Sequence, residues 1–360
     1  MPSKKHIDFL IIGQGLAGSL LGWQLMQQGK HVLIADPCLQ QTTSRTAAGL
    51  INPITGKRLV KTNGLEHYLP YAKKLYQSLS EFFKQPFLHP LKQVRVFKSS
   101  DEVLQWEKRQ QQADYAPFLG PRLDPSAKDY LRQNTIGGFE QKQCAYLDTV
   151  PLLDQLRHFF RQQSCFIGSK IDPKALTLTG SSIEWGDYEI SKVIFCDGYQ
   201  LKDNPWFSWL PLQPAQGEIF TLETDQPLPK EMVQFGKWLL PLANGQFKLG
   251  ATWQWSPLDE LSCDTSVDEL LNACHQQFPH LKNARLIKKN VGIRPGTRDK
   301  QPFIGQHPYH AQLFVFNGFG SKGSLIIPWC SERFADYLLN NKALPDTLDI
   351  KRYANGCPAG

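Results

Sequence analysis

The sequence predicts an α/β fold of two lobes: a discontinuous parallel-sheet domain gathered from separated stretches of chain, and an α+β domain built on an antiparallel sheet. Three observations predict it: a strand, glycine turn, helix and strand at the N-terminus, a set of hairpin-forming runs after residue 206, and a second glycine-rich helix start near residue 320. The length agrees, since 360 residues at about 150 per domain make two. Hydrophobic residues are 41% and charged residues 20% of the chain, a balance that can bury a core and excludes a disordered or linker role.

Residues 7–12 (IDFLII) are apolar and of strand length, and Gly13-Gln14-Gly15-Leu16-Ala17-Gly18 follows at once. Leu20, Leu21, Trp23 and Leu25 continue as a helix up to Gly29, and a second apolar run, 31–35, ends in Asp36. This is a Rossmann-like βαβ unit. Gly13 permits the tight turn, Gly15 lets backbone N–H groups approach a pyrophosphate, and Gly18 lets helix and strand pack closely. The helix N-terminus adds positive potential for phosphates. Asp36 can accept from ribose hydroxyls and repels a 2′-phosphate, which disfavours NADP. The motif leaves NAD and FAD both open. In the segment Ser44-Arg45-Thr46-Ala47-Ala48-Gly49, small residues let backbone lie close to a flat ring system, and Ser44, Arg45 and Thr46 can hydrogen-bond phosphate or ribitol oxygens. A plain polar loop is the alternative.

Further along, residues 65–83 carry Leu65, Leu69, Ala72, Leu75, Tyr76, Leu79, Phe82 and Phe83 at three-and-four spacing, which predicts an amphipathic helix. Residues 94–97 read as a strand, 102–112 as a polar helix and 117–134 as a turn-rich surface excursion. A helix over 151–162, a short apolar run at 165–167 and a buried strand over 193–198 ending in glycine return the chain to the first lobe. The predicted nucleotide domain is therefore 1–85, 145–205 and 290–360, with 86–144 and 206–289 forming the second. There, runs at 217–221, 238–242 and 247–253 read as strands, and Asn244-Gly245 is the tight turn joining the last two. Trp238, Trp253 and Trp255 either wall a site or pack as core. A further helix is predicted over 267–278.

Several classes are excluded. The eight cysteines, at 38, 144, 165, 196, 263, 274, 330 and 357, stand singly, so neither structural zinc nor a disulfide framework is predicted, no metal is expected, and a reducing compartment fits. Lys4 and Lys5 precede an apolar stretch, but glycines break it before it reaches spanning length, so a cytoplasmic chain with no membrane partner is expected. Lys+Arg 40 against Asp+Glu 33 leaves +7, scattered except for the run Lys57, Arg58 and Lys61. That run is either a solvated loop or a holder of nucleic-acid phosphates.

Towards the C-terminus, Asn290-Val291-Gly292-Ile293-Arg294-Pro295-Gly296-Thr297-Arg298-Asp299 precedes Pro302, a strand at 313–316, and Asn317-Gly318-Phe319-Gly320-Ser321-Lys322-Gly323-Ser324 opening a helix over 325–339. Such a helix start, with Lys322, suits negative charge on the N1–C2=O edge of a reduced flavin. With these blocks, the N-terminal glycine motif, Ala47-Ala48-Gly49, the 193–198 strand, Gln216-Gly217-Glu218 and Leu249-Gly250-Ala251-Thr252, the chain resembles the FAD-dependent oxidoreductases of the D-amino-acid oxidase, glycine oxidase and sarcosine oxidase family over nearly its whole length. The two C-terminal blocks, Ile293-Arg294-Pro295-Gly296-Thr297 with Asp299 and Pro302 and the Gly318 to Gly323 loop, are also similar to the oxidase half of the bifunctional tRNA 5-methylaminomethyl-2-thiouridine biosynthesis protein.

The resemblance implies a Rossmann-like FAD-binding domain and a substrate domain, with noncovalent FAD because no Cys or His stands in an attachment motif. It implies cofactor contacts at Gly13, Gly15, Leu16, Ala17, Gly18, Asp36 and Pro37; at Ser44, Arg45, Thr46, Ala48, Gly49 and Leu50; at Ile171, Asp197 and Gly198; and at Gly318, Gly320, Ser321, Lys322, Gly323 and Ser324. Arg294 is the implied partner of a substrate carboxylate, a task suited to a bidentate guanidinium, although Asp299 is an alternative partner for it. Arg294 and Lys322 are the catalytic candidates, and Ile51, Trp238 and Trp253 join Arg294 around the substrate. The implied activity is oxidation of the C–N bond of a carboxylate-bearing amine. The alternatives are removal of a carboxymethyl group from a tRNA wobble uridine and flavin binding without oxidase activity. Ser321-Lys322 stands where glycine oxidases carry an arginine nearby, which leaves the amino-acid specificity open.

Overall fold

The N-terminal apolar run forms the strand Lys5–Ile12, which pairs in parallel with Val32–Ala35 on one side and with Tyr188–Phe195 on the other. Strands buried on both faces require continuous apolar sequence, and Leu10, Ile11, Val193, Ile194 and Phe195 are fully buried. Leu313–Asn317 adds in parallel to Tyr188–Phe195, Phe303–Gln306 closes antiparallel on it, and Phe166–Ile167 flanks Val32–Ala35. With Thr177–Thr179 and Ser182–Trp185 this makes an eight-stranded sheet. The helix Leu16–Gln27 packs against the helices Gly323–Asn340 and Thr149–Gln162. Because the central strands run in parallel and in register, Gly13, Asp36, Asp197 and Asn317 all leave the sheet at its carboxyl edge. That edge, where strand order reverses, is where open α/β sheets bind ligands.

The computed structural model describes residues 4–131, 136–256, 258 and 264–358, so Cys263 and the end of the 117–134 excursion lie outside the described residues. The chain divides into two units: Met1–Arg45, Thr149–Ala215 and Ile293–Gly360 form the first, and Thr46–Asp148 with Gln216–Gly292 the second. Residues 46–85, expected with the nucleotide domain, thus belong to the second unit. The reason is local: Leu50–Ile51 pairs with Gly138–Leu147, and the Leu147 N–H donates to Gly49 O at 2.9 Å. Residues 206–215 fall in the first unit, where Phe207 and Leu210 join the core under the parallel sheet.

The second unit is a nine-stranded sheet. Ala215–Glu223, Gln246–Gly250 and Trp238–Pro241 run antiparallel, and the helix Asp264–Gln277 joins one core with Phe220, Phe247 and Leu249 through Leu270 and Cys274. Asn244 and Gly245 turn the hairpin at φ 57° and 70°, the positive values that a two-residue turn of the I′ class demands. The sheet is not wholly antiparallel, because Met232–Gln234 pairs in parallel with Leu88–Val96. The helix Leu65–Phe83 has the predicted bounds. The excursion contains a strand, Leu119–Leu123, whose Gly120 and Pro121 conceal it in the sequence. The run expected to reach residue 253 ends as a strand at Gly250, leaving an isolated bridge between Gln216 and Gln254.

Candidate functional site

The site grows from the first glycine turn. Gly13 sits at φ 105°, and a Cβ there would lie 2.5 Å from Cys196 O. At Gly18 a Cβ would meet Gly13 O at 1.9 Å, so the helix can approach the turn only with glycine in place. Gly15 precedes the helix Leu16–Gln27, which has no acidic residue in its first turn. Ser44 Oγ accepts from the Leu16 N–H at 3.0 Å. The Gln14 N–H donates to Asp36 Oδ2 at 2.8 Å, and the Cys38 N–H to Asp36 Oδ1 at 2.7 Å. Each carboxylate oxygen keeps a further lone pair, so Asp36 retains its capacity to accept from ribose. Pro37 beside it is exposed.

Gln14, the residue between the two glycines, is a feature the motif alone does not reveal. Its side chain donates to Ser19 Oγ at 2.9 Å and Leu153 O at 3.0 Å, and accepts from Arg157 Nε at 2.7 Å. Arg157 Nη2 also lies 3.8 Å from Asp36 Oδ1. The turn, Asp36 and the helix Thr149–Gln162 are thereby tied together.

Across the carboxyl edge, Asp197 and Gly198 follow Tyr188–Phe195, with Gly198 at φ 63°. Asn317 Nδ2 donates to Asp197 Oδ1 at 2.9 Å and to Gly198 O at 3.0 Å, while Asn317 Oδ1 accepts from the Gly318 N–H at 2.8 Å. Gly318 and Gly320 have φ of 81° and 54°, and a Cβ on Gly318 would meet Thr297 Cγ2 at 2.7 Å. Lys322 caps the helix Gly323–Asn340. Burial lowers its ammonium below the ordinary lysine range, and Lys300 adds to the shift. Ser321 is exposed and Ser324 buried.

Arg294 ends the strand Arg285–Arg294, and burial lowers its guanidinium to about 10. It remains a cation at neutral pH. The following turn is pinned to the second glycine turn: the Gly320 N–H donates to Pro295 O at 3.1 Å, and the Gly296 N–H to Arg294 O at 2.9 Å. Asp299, the alternative partner for Arg294, is engaged by Arg352 Nε at 2.9 Å. The first unit therefore brings Gly13, Gly15, Leu16, Ala17, Gly18, Asp36, Asp197 and Gly198 to one edge, with Arg294 and Lys322 on turns bonded to one another.

Other expected residues have different occupations. Arg45 is held by Asp154, Nη1 to Oδ1 at 2.6 Å, so its charge already faces a carboxylate. Ile171 is a core residue of the first unit. Thr46 donates to Val291 O at 3.0 Å within the second unit. Ala48 is buried there, and Gly49 permits a close approach to Leu147 O, which a Cβ would meet at 1.9 Å. Leu50 and Ile51 pair with Tyr146 and Ala145, and Ile51 is only 1% exposed, so its side chain is packing and offers no surface to a ligand. Trp238 covers Gly250, where a Cβ would meet its ring at 2.4 Å, and Trp253 stands exposed in a T-shaped pair with Trp255. Among the described residues, no helix is long and apolar enough to cross a membrane, and no group of three or more His, Cys, Asp or Glu is placed to hold a metal.

The fit to FAD rests on this cradle: two positive-φ glycine turns that a Cβ would fill, a helix N-terminus free of acids, and an acid at the end of the second strand. The fold and site together define a dinucleotide-dependent oxidoreductase. The chain belongs to the FAD dependent oxidoreductase (DAO) family, whose model matches residues 8–337, and its cofactor is FAD. It is 23% identical to a glycine oxidase of Bacillus subtilis, over 97% of both chains. It is 26% identical to the tRNA 5-methylaminomethyl-2-thiouridine biosynthesis bifunctional protein MnmC of Acinetobacter baylyi, of which it spans 55%. Among solved structures, iminodiacetate oxidase from Chelativorans sp. BNC1 superposes with a TM-score of 0.79 at 20% identity, covering 96% of this chain and 98% of that one.

Proposed function

We propose that the protein oxidises the C–N bond of a carboxylate-bearing primary or secondary amine, an amino acid or an N-substituted glycine. The carrying observation is Arg294: a half-buried cation at the end of a strand whose following turn is bonded to the second glycine turn, with Asp299 engaged by Arg352. A fixed, planar guanidinium recognises a planar anion bidentately. Relatives named for glycine and iminodiacetate, both amines with carboxylates, support the same class. FAD, held noncovalently by residues at the carboxyl edge of the parallel sheet, would supply the two-electron acceptor for the hydride.

The chain's own contribution is orientation. Arg294 fixes the carboxylate, so the α-carbon presents one C–H in one direction, and restricting that freedom supplies several kcal/mol of the barrier reduction, about 7–11 at the most. As hydride leaves carbon, the nitrogen lone pair forms the C=N bond, and water then hydrolyses the imine to a carbonyl compound and an amine. A neutral amine needs no base for this step. Lys322 and the amides of the second glycine turn suit the negative charge that accompanies reduction.

Flavin bleaching without oxygen tests the reading, using glycine, sarcosine, proline, D-amino acids, iminodiacetate and carboxymethylaminomethyl-uridine tRNA. A carboxylate-bearing amine should bleach the flavin, and Arg294→Ala should weaken its apparent binding by about 30- to 1,000-fold, the cost of removing one partner of a hydrogen-bonded charge pair. Unchanged bleaching by the variant overturns the assignment. A second reading, a tRNA side chain as substrate, is favoured by the exposed Lys57 and Arg58, although Lys61 is paired with Asp114. Bleaching by the tRNA alone selects it. Flavin that stays oxidised with every compound selects a binding role without oxidase activity.

A further inference from the structure

Asp197 is a carboxylate with no evident place in amine oxidation. It stands where the strand Tyr188–Phe195 ends, its backbone against the first glycine: a Cβ on Gly13 would meet Asp197 Cα at 3.3 Å. Two carboxamides point donors at it, Asn317 Nδ2 at 2.9 Å from Oδ1 and Asn204 Nδ2 at 3.5 Å from Oδ2. The orientation of Asn317 is over-determined, because Gly198 O needs its amide N–H and the Gly318 N–H needs its carbonyl. Asn204 is equally fixed, its Oδ1 accepting from the N–H groups of Trp206 and Phe207 at 3.0 and 3.2 Å. One residue thus adjoins the first glycine turn through its backbone and the turn at 318–320 through its carboxylate and Asn317.

We propose that Asp197 is a positioning residue that acts through Asn317, holding the second glycine turn against the end of the Tyr188–Phe195 strand, and that it takes up a proton when the anionic dinucleotide occupies the first turn. Burial already pushes its carboxyl up to about 7, against the pull of its hydrogen bonds. A pyrophosphate on the N-terminus of the helix Leu16–Gln27 would add negative charge at the turn that the Asp197 backbone adjoins, and like charges in a poorly solvated site favour protonation of one.

Few other titratable groups surround Asp197. Cys196 precedes it, its thiol raised far above the ordinary range by burial and then by Asp197 itself. On the following turn, Tyr199 lies under Lys202, whose Nζ is 3.9 Å from Asp203. Beyond the first glycine turn, Asp36 faces Arg157. Lys322 lies on the second glycine turn, and His307 lies against Phe207. No ion pair reaches Asp197 among the described residues.

If proton uptake accompanies binding, FAD affinity falls as pH rises past the carboxyl's own value, by up to about tenfold per unit. The holoprotein, diluted at a series of pH values, reports this through the fluorescence of released flavin. Between about pH 7 and 8.5 the apparent Kd should rise at least about fivefold, and Asp197→Asn, which keeps the shape and the link to Asn317 but carries no charge, should hold the change below about twofold. A wild-type Kd that is flat with pH, or a slope that survives in Asp197→Asn, overturns the proposal. Should Asp197→Asn retain no flavin, Asn204→Ala provides the second measurement. It removes one donor to the ionised form, so the midpoint of release should move to higher pH; an unmoved midpoint overturns the proposal. A pH-dependent shift of the bound-flavin spectrum in the wild type, lost in Asp197→Asn, is the signature of the link to the second turn.

Discussion

Gly18 and Gly49 look alike in the sequence, each a small residue in a candidate cofactor segment, and the structure gives them different work. A Cβ on Gly18 would meet Gly13 O at 1.9 Å within the first glycine turn, and one on Gly49 would meet Leu147 O at the same distance inside the second unit, at φ +70°. Gly18→Ala should therefore abolish flavin retention. Gly49→Ala should destabilise the fold by about 3 kcal/mol, from strain and collision together, while flavin that remains bound keeps its spectrum. Flavin content and urea unfolding of the two variants separate these outcomes; loss of flavin without loss of stability in Gly49→Ala would return it to the cofactor site. The placement of Gly13, Gly15, Gly18 and Asp36 at one strand–turn–helix–strand unit was legible from motif spacing. Gln14, Asn204 and Asn317 were not, because amide side chains are common on any surface and only tertiary placement gives theirs partners.

At the scale of elements, hydrophobic period decided what could be read. The helix Leu65–Phe83 shows itself by three-and-four spacing, and the Asn244-Gly245 hairpin by a turn chemistry that few other sites need. Gly245 is tightly constrained, with φ 70° and Thr224 O 2.5 Å from a would-be Cβ. Gly245→Ala should cost about 2 kcal/mol or more, read as a lower urea midpoint with unchanged slope, whereas Asn244→Gly should cost far less; equal effects would mean the turn is not what holds the hairpin. Sequence period does not give the direction of pairing. The parallel contact of Met232–Gln234 with Leu88–Val96 joins segments some 140 residues apart, and nothing local records it. The strand Leu119–Leu123 was hidden for a different reason: Gly120 and Pro121 carry the signature of a turn, and a strand at the margin of a sheet tolerates both.

For the whole molecule, the partition of the chain was legible in kind but not in detail, since the segment 46–85 is claimed by the second unit through two short backbone pairings that no pattern announces. Charge shows the same limit: a net +7 says little about stability against pH, which is governed by buried groups of either sign. Two in the first unit act in opposite senses. His307, its Nδ1 accepting from the Tyr309 N–H at 3.2 Å, is lowered to about 4 by burial and then by His310. The unfolded chain titrates its histidines near 6.5, so it binds more protons than the native state below that pH. His307 therefore contributes stability present above about 6.5 and lost as pH falls towards 4. Asp197 has the reverse sign. Its native carboxyl titrates near 7 against about 3.9 when unfolded, so the native state holds the extra proton, and stability declines as pH rises from about 4 to about 7 and is level beyond. Over the shared window the slopes oppose one another and the wild type should vary less than either variant. The difference in thermal midpoint between Asp197→Asn and wild type should grow from near zero at about pH 4 to a plateau above about pH 7. That between His307→Gln and wild type should instead be most favourable to the variant at about pH 4 and decline to a plateau above about 6.5. Differences that are flat in pH would show that these two groups do not titrate differently in the native and unfolded states.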